Sequence, residues 1–240
     1  MAGNEGENLA LISDQGVAGS FHSKEALKLD NLYILSAKKK HTYETIKRLF
    51  DIFFSLFSLV VLWPLFLIVA IAIKLESRGP VIYTQMRVGN NRKPFKMYKF
   101  RSMCKNADEQ LHALEKLNER DGPVFKITED PRVTRVGKLL RKICIDELPQ
   151  LINIIKGEMS IVGPRPPLLN EVEKYNFHHM RRLEVIPGLT CYWQTRKEEK
   201  PNFEEWVEMD LQYIANRSFR EDIKIIFTTA KIVLQGKGNL

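Results

Sequence analysis

The chain has 240 residues, and its 44% hydrophobic content suffices for one sizeable core or for a core plus a membrane segment. Its net charge of +8 favours nucleic acid, anionic lipid or phosphorylated substrates as partners, and charge alone does not choose among them. The three cysteines are far apart and form no Cys-x-x-Cys pair, which argues against a zinc site or a disulfide framework and favours a reducing, cytosolic setting.

The first 40 residues show little patterning. Their periodicity is weak, and Gly, Asn and Ser are scattered through them. The chain opens with polar and acidic residues, whereas a secretory signal needs a basic start followed at once by an apolar run. We therefore interpret residues 1–40 as a mobile leader, and expect any membrane contact further along the chain.

Residues 41–75 contain a long apolar segment. The run from Ile52 to Ile73 carries no charge, and about 20 apolar helical residues cross the hydrocarbon core of a bilayer. Pro64, near its middle, removes a backbone donor and disturbs the preceding turn. Both flanks are basic, with Lys38 to Lys40, Lys47 and Arg48 before the run and Lys74, Arg78 and Arg87 after it. Because basic flanks stay cytoplasmic, we predict a re-entrant helix that bends at Pro64; a kinked spanning helix is the alternative.

The remaining region, residues 76–240, is predicted to combine helices with short strands. Phe95 to Arg101 alternates apolar and basic residues, which fits either a half-buried strand or a basic strip that faces phosphates through Lys99 and Arg101. Helices are predicted over Lys105–Arg120, Arg135–Ile143, Phe203–Ile214 and Phe219–Leu234. The second and the last of these have an apolar face beside basic residues, so they are candidates for the membrane interface.

The stretch from Arg141 to Pro167 carries the chemistry. Two adjacent carboxylates, Asp146 and Glu147, stand at the start of a predicted helix that ends at Gly157. Asp146 fits the N-cap, and Pro149 is tolerated in the first turn. The positive end of the helix dipole favours an ionised carboxylate or a bound phosphate there. On spacing alone, a merely capping aspartate and an ordinary first-turn glutamate are the simpler interpretation.

Two arginines shift that balance towards chemistry on phosphate. Arg141 precedes the acid pair, and Arg165 lies in the turn Val-Gly-Pro-Arg-Pro-Pro, whose prolines leave it few conformations. Arginine binds phosphate oxygens bidentately. An acid pair can hold Mg²⁺, which takes one or two carboxylates plus substrate phosphates, and an aspartate can be the nucleophile in phosphoryl transfer.

Four segments of the chain resemble the bacterial sugar transferases, the monotopic polyprenyl-phosphate phosphoglycosyl transferases, in their small form with the catalytic domain alone. They are Lys-Phe-Arg-Ser-Met (99–103), Asp-Glu-Leu-Pro-Gln-Leu-Ile-Asn-Ile-Ile-Lys-Gly-Glu-Met-Ser-Ile-Val-Gly-Pro-Arg-Pro (146–166), Pro-Gly-Leu-Thr (187–190) and Met-Asp-Leu-Gln-Tyr-Ile (209–214). The resemblance covers about residues 44 to 236. It implies an α+β, mostly helical monotopic membrane protein, with one re-entrant helix, amphipathic interfacial helices and a small irregular β element. Residues 76–240 would be the catalytic domain at the cytoplasmic face of the bacterial inner membrane.

The resemblance also implies a reaction. A sugar 1-phosphate would pass from a UDP-sugar to undecaprenyl phosphate, with release of UMP, as the first step of glycan or exopolysaccharide assembly. Asp146 would be the nucleophile that forms a covalent phosphosugar intermediate, and Glu147 would hold or orient Mg²⁺. Membrane lipid is a further expected partner, nucleic acid is not expected, and a homodimer is left open. The candidate phosphate- and substrate-binding residues are Lys99, Arg101, Arg141, Arg165, Gln194, Arg196 and Asp210.

The chain departs from the family pattern at two places. Trp63-Pro64 stands where the family often has Ser-Pro, so the break residue is kept while a capping hydroxyl is missing. Cys191 replaces a family glycine, and residues 196–200 replace the family's Gly-Arg in a loop expected near the sugar or nucleotide. The donor, a hexose or an N-acetylated sugar, is therefore not predicted, nor is the glycan pathway. Two other functions stay open: a single-step transfer in which Asp146 only binds metal, and a non-catalytic membrane adaptor that binds anionic lipid.

Overall fold

The computed structural model describes residues 40–195 and 201–236, so the predicted leader before Lys40 lies outside the described residues. The helices are α1 (His41–Glu76), α2 (Leu111–Leu114), α3 (Arg135–Lys142), α4 (Leu151–Lys156), α5 (Leu169–Val172), α6 (Phe177–Met180), α7 (Tyr192–Thr195), α8 (Phe203–Asn216) and α9 (Phe219–Leu234). The strands are β1 (Ile82–Val88), β2 (Pro94–Phe100), β3 (Ser160–Val162) and β4 (Gly188–Thr190). The predicted α+β, mostly helical class is confirmed.

The strands form two small sheets of two strands each. β1 and β2 are an antiparallel hairpin in which Ile82 lies opposite Phe100. β3 and β4 are parallel, with Ser160 opposite Gly188. Phe95 and Met97 are buried while Pro94 and Lys96 are exposed, so the first half of β2 is the half-buried strand that its alternation predicts.

The main core lies where α8 meets α4 and the two sheets. It contains Phe95, Met97, Leu151, Ile154, Met159, Val162, Phe203, Trp206, Val207, Leu211, Tyr213, Ile214 and Ile225. Full burial of each large apolar side chain stabilises the fold by about 1.5–3 kcal/mol. Trp206 and Tyr213 on α8 are thus core residues, as their helical spacing predicts.

Among the described residues, α1 is the one helix that is long and apolar enough to cross a membrane. It continues without interruption through Pro64. One face of its middle is exposed, with Phe53 72%, Val60 71% and Trp63 62% exposed, while Ser55, Leu59 and Phe66 on the rest of the helix contact the domain. An apolar surface of this size suits lipid rather than water. The bend at Pro64 and the re-entrant path stay predictions.

The first turns of α1 are fastened to the domain by polar contacts. The Arg48 guanidinium donates to the carbonyls of Ile154 (2.5 Å) and Ile155 (2.7 Å), in the last turn of α4. Asp51 accepts a hydrogen bond from the Ile161 amide of β3 at 3.1 Å. These contacts satisfy backbone groups that a helix end and a strand edge leave open.

The last turns of α1 are fastened to the same domain by apolar packing. Val69 and Ile73 form a second core with Phe100 of β2 and Leu140 of α3. Both ends of α1 therefore lie against one folded unit, and the apolar side chains on the outer face between them are exposed.

Two predicted local structures are wrong. Asp146 is not an N-cap: it lies inside a 3-10 segment, Ile145–Gln150, and the α-helix begins only at Leu151. Pro149 has no N–H to donate into an α-helical ladder, so the tighter turn comes first. The predicted helix over Lys105–Arg120 is only α2 and a 3-10 turn, because its leucines are not buried deeply enough to stabilise a longer helix. The helices predicted at α3, α8 and α9 are confirmed within a few residues.

Candidate active site

The two adjacent carboxylates lie in a tight turn between α3 and α4. Cys144 has a left-handed backbone (φ 54°), which turns the chain sharply into the 3-10 segment. Lys99 of β2 places its Nζ 2.7 Å from Glu147 Oε1. The Asp146 side chain is buried, whereas Glu147 keeps 27% of its side chain exposed. One acid is thus shielded from water and its neighbour remains accessible.

Burial raises the pKa of the Asp146 carboxyl to about 6. The positive charges of Lys99 and Arg141 lower this pKa, and the negative charge of Glu147 raises it. In residues 40–195 and 201–236, no side chain forms a hydrogen bond or ion pair with the Asp146 carboxylate. The carboxylate is therefore largely ionised near pH 7 and keeps uncommitted lone pairs, as a nucleophile requires.

Helix α3 brings Arg141 to the acid pair. Its Nε donates to Ser102 Oγ at 2.9 Å. The helix can approach the loop after β2 this closely because residue 137 is glycine: a Cβ there would lie 2.0 Å from the Ser102 carbonyl oxygen. Within the described residues, the two terminal nitrogens of Arg141 make no hydrogen bond, so they remain available to a phosphate.

The Pro-Arg-Pro turn follows β3 and is held in place. The Gly163 amide donates to the Thr190 carbonyl at 3.0 Å, which ties the turn to β4. The Arg165 guanidinium lies 3.5 Å from Glu171 and over the Trp206 ring, 5.3 Å from the ring centroid. The side chain is still 28% exposed, so it can meet a ligand from solvent.

Asp210 lies behind this arginine in a buried ion pair. Its Oδ2 accepts from Arg182 Nε at 2.8 Å and lies 2.6 Å from Arg182 Nη2. The charge of Asp210 raises the pKa of Arg182 against the effect of burial. Arg182 in turn lies over the Trp206 ring, 5.1 Å from its centroid. Asp210 thus holds Arg182 against the Trp206 ring, which Arg165 also contacts.

Comparison with known proteins shows which family the chain resembles. A family model described as bacterial sugar transferase matches residues 42–236, almost all of the described chain. The chain belongs to the bacterial sugar transferase family. The resemblance read from the sequence, and with it the prediction of a transferase, is confirmed at this level.

This sugar transferase is similar to curated relatives that are much longer than it and to others of about its own length. It is 43% identical over 202 residues to the galactosyl transferase CpsE of Streptococcus agalactiae, covering 83% of this chain and 44% of CpsE. It is 39% identical over 206 residues to an undecaprenyl-phosphate galactose phosphotransferase of Salmonella typhimurium, covering 83% of this chain and 42% of that protein. It is 41% identical over 197 residues to the exopolysaccharide production protein ExoY of Sinorhizobium fredii, covering 80% of this chain and 87% of ExoY. The sugar transferase thus spans less than half of the first two relatives and most of the third.

The remaining predicted site residues that the structure describes in this sugar transferase make their hydrogen bonds away from the acid pair. Arg101 donates to the carbonyls of Ser77 (2.8 Å) and Arg78 (2.9 Å), so its guanidinium fastens the chain after α1. Gln194 accepts a hydrogen bond from the Cys191 amide at 3.2 Å and thus stabilises its own loop. Arg196 lies outside the described residues. The structure therefore brings Lys99 and Arg141 to the acid pair. The hydrogen bonds of Arg101 and Gln194 go to backbone groups elsewhere.

Sequence reasoning missed Arg87, which it placed only among the basic flanks of the membrane run. Arg87 is buried on β1, and its pKa is lowered to about 9 by burial and by the charge of Arg165, while Glu171, Tyr83 and Glu147 raise it. The guanidinium thus lies within the electric field of both Arg165 and Glu147. A signal was present in the sequence: Gln85 and Arg87 are alternate residues, so in a strand their side chains lie on the same face.

The acid pair has the donor chemistry for Mg²⁺. Mg²⁺ binds through one or two carboxylates and completes its shell with water and substrate phosphates. Asp146 and Glu147 supply two neighbouring carboxylates, and the described residues contain no cluster of three or more metal-ligating side chains. This donor set fits a metal shared with a substrate better than an all-protein metal cage.

Proposed function

We propose that this chain transfers a sugar 1-phosphate from a UDP-sugar to undecaprenyl phosphate through a covalent intermediate on Asp146. The observation that carries the proposal is the buried, uncommitted carboxylate of Asp146, placed beside Glu147 and in the field of Lys99 and Arg141. The names of the Salmonella and Streptococcus relatives support the same transfer and favour a galactose donor.

The first step is a displacement at phosphorus. A carboxylate oxygen of Asp146 forms a bond to the sugar-linked phosphorus, and the bond from that phosphorus to the bridging oxygen of the diphosphate breaks. The electron pair leaves with UMP. Arg141 and Arg165 bind the non-bridging oxygens, and the developing charge is stabilised by groups that are already in position.

The second step returns the enzyme to its starting state. A phosphate oxygen of undecaprenyl phosphate forms a bond to the same phosphorus, and the bond to Asp146 breaks. The products are undecaprenyl diphosphate sugar and a free carboxylate. Because each half-reaction breaks one bond and forms one of the same kind, the pathway has ping-pong kinetics and needs no oxidant or reductant.

Glu147 would hold or orient Mg²⁺ beside the nucleophile Asp146. Bound there, the ion would neutralise phosphate charge and make the phosphorus more electrophilic. Lys99 fixes the Glu147 carboxylate at 2.7 Å, so the ligand oxygens are oriented before a substrate arrives.

The reaction would take place at the cytoplasmic face of the bacterial inner membrane, with α1 as a re-entrant anchor. The support is the attachment of both ends of α1 to one domain, Arg48 and Asp51 at the start and Val69 and Ile73 at the end. A domain that contacts both ends of α1 suits a path in which the chain enters and leaves the bilayer by the same face.

Site-directed labelling tests this path. In a cysteine-free background, Thr42→Cys and Arg78→Cys place one exposed thiol at each end of α1. Both are expected to resist a membrane-impermeant maleimide in intact cells and to react after the cells are opened. Labelling of one position in intact cells would establish the spanning alternative.

The transfer is tested with the full chain in phospholipid nanodiscs that contain undecaprenyl phosphate. A panel of UDP-sugars, with UDP-galactose and UDP-N-acetylgalactosamine first, is expected to show UMP release that depends on the lipid acceptor. With a sugar-labelled donor and no acceptor, a phosphosugar adduct is expected on the protein. Turnover without an adduct would support single-step transfer, and no turnover with any donor would leave the lipid-binding adaptor.

A further inference from the structure

The loop that carries Arg165 is docked on β1 through one buried side chain. Arg87 Nη1 donates to the Pro166 carbonyl at 3.0 Å, and Nη2 donates to Gln85 Oε1 at 2.7 Å. Next to it, the Val88 amide donates to the Pro167 carbonyl at 2.9 Å. The three prolines of this loop, Pro164, Pro166 and Pro167, have no N–H of their own, so the loop is held mainly through its carbonyls.

Glu171 holds the same loop from the other side. Its carboxylate accepts from the Leu168 amide at 3.0 Å and lies 3.5 Å from the Arg165 guanidinium. Glu171 is 1% exposed and Arg87 is 7% exposed, so both anchors are inside the protein. The groups at the two sides of the loop are therefore one buried carboxylate and one buried guanidinium.

The charges around Arg87 do not balance. Burial and the charge of Arg165 lower the pKa of Arg87, while Glu171, Tyr83 and Glu147 raise it. Glu171 also serves Arg165, and the Nε of Arg87 has no hydrogen-bond partner within the described residues. Two neighbouring guanidiniums that share one buried carboxylate form a locally positive site, and a bound phosphate would remove that imbalance.

We propose that Arg87 is a positioning residue, which fixes the Pro166 carbonyl and thereby aims Arg165 at a phosphate of the uridine diphosphate part of the donor. The inference rests on the proposed function for the identity of that ligand. Arg87 itself stays buried behind the loop and acts through Arg165. Its charge and its fork-shaped donor set are both needed, since a lysine can hold the Pro166 carbonyl but not Gln85 at the same time.

A double-mutant cycle tests this coupling with UDP as the probe. Binding of UDP to the full chain in nanodiscs is measured by titration calorimetry for the wild type, Arg87→Met, Arg165→Met and the double variant. Each single variant is expected to weaken UDP binding about tenfold, and the double variant to be no weaker than about thirtyfold. A double variant that is weakened about a hundredfold, the product of two independent effects, would overturn the proposal.

Two further variants separate positioning from general damage. Arg92→Met removes an arginine from the exposed tip of the same hairpin and is expected to leave UDP affinity unchanged. Arg87→Lys keeps the charge and can still donate to the Pro166 carbonyl but not also to Gln85, so its unfolding midpoint and its UDP affinity are both expected to lie between those of the wild type and Arg87→Met. Wild-type UDP affinity in Arg87→Met would refute the role of Arg87 and leave the transferase function intact. Failure of every UDP-sugar to turn over, with UDP affinity still dependent on Arg87, would refute only the proposed reaction.

Discussion

Two buried aspartates of this protein differ in what their carboxylates contact. Asp210 is fully buried and accepts hydrogen bonds from Arg182 at 2.6 and 2.8 Å. Asp146 is buried as well, but in the described residues Lys99 and Arg141 act on it only through their charge. Burial raises the pKa of both carboxyls. The difference is that the Asp210 carboxylate is paired with the Arg182 guanidinium, whereas no side chain of the described residues is bonded to the Asp146 carboxylate.

This difference in contacts predicts that Asp210 contributes to stability and that Asp146 contributes to reactivity. A buried carboxylate in a well-formed ion pair regains much of the solvation energy that it lost. A buried carboxylate without a direct partner remains costly, and such costs concentrate at functional sites because they provide reactive groups. Asp146 and Asp210 are therefore expected to respond in opposite ways to the same substitution.

Asp146→Asn is expected to have the largest effect on activity. The amide is a poor nucleophile, so exchange of labelled UMP into UDP-galactose should fall more than about a thousandfold. The unfolding midpoint should stay the same or rise, because a costly buried charge is replaced by a neutral group of the same shape. Both quantities are measured on the full chain in nanodiscs.

Full UMP exchange by Asp146→Asn would remove the covalent mechanism. A loss of exchange together with a large drop in the unfolding midpoint would instead make Asp146 a structural residue like Asp210. The two readouts thus distinguish the two roles directly.

Asp210→Asn is expected to have the largest effect on stability. It leaves Arg182 buried without its counter-charge, which costs about 3–5 kcal/mol and lowers the unfolding midpoint by roughly 10 °C. Glu208 is an exposed residue on α8, two positions before Asp210, and Glu208→Gln is therefore the matched control. An Asp210→Asn variant as stable as this control would show that the ion pair with Arg182 contributes little.

The sequence predicted the acid pair and both flanking arginines because they stand in one contiguous, strongly patterned stretch. It did not predict that Asp146 lies inside a 3-10 turn, since that depends on the left-handed backbone of Cys144, which has no signature in a non-glycine residue. It also did not predict the buried ion pair of Asp210, because the partner Arg182 is 28 residues away in the chain.

Arg87 and Arg101 illustrate the same limit. Both are arginines in a hairpin with basic residues, and only the fold shows that Arg101 fastens the chain after α1 while Arg87 holds the Pro-Arg-Pro loop. The helices α1, α8 and α9 were predictable because their apolar periodicity is long. Contacts between side chains far apart in the chain were not, because they depend on tertiary packing.

Lys99→Met gives the smallest and most specific test of the comparison. Since protonation blocks the nucleophile, the UMP exchange rate of the wild type should fall about tenfold per pH unit below the Asp146 pKa of about 6. Lys99 is the largest of the charges that lower this pKa, so its removal should move the acidic limb of the pH profile to higher pH.

The same pKa has a consequence for stability with a definite sign. Because the folded-state pKa of Asp146 lies above the ordinary value of 3.8, the folded protein binds this proton more tightly than the unfolded chain, and the contribution of Asp146 to stability is lost as pH rises from about 4 to 6. Lys99→Met should extend that loss to higher pH. Lys96→Met removes an exposed charge from the same strand and should leave both profiles unchanged. An acidic limb that does not move in Lys99→Met would mean that Asp146 is not the group whose ionisation controls the first step.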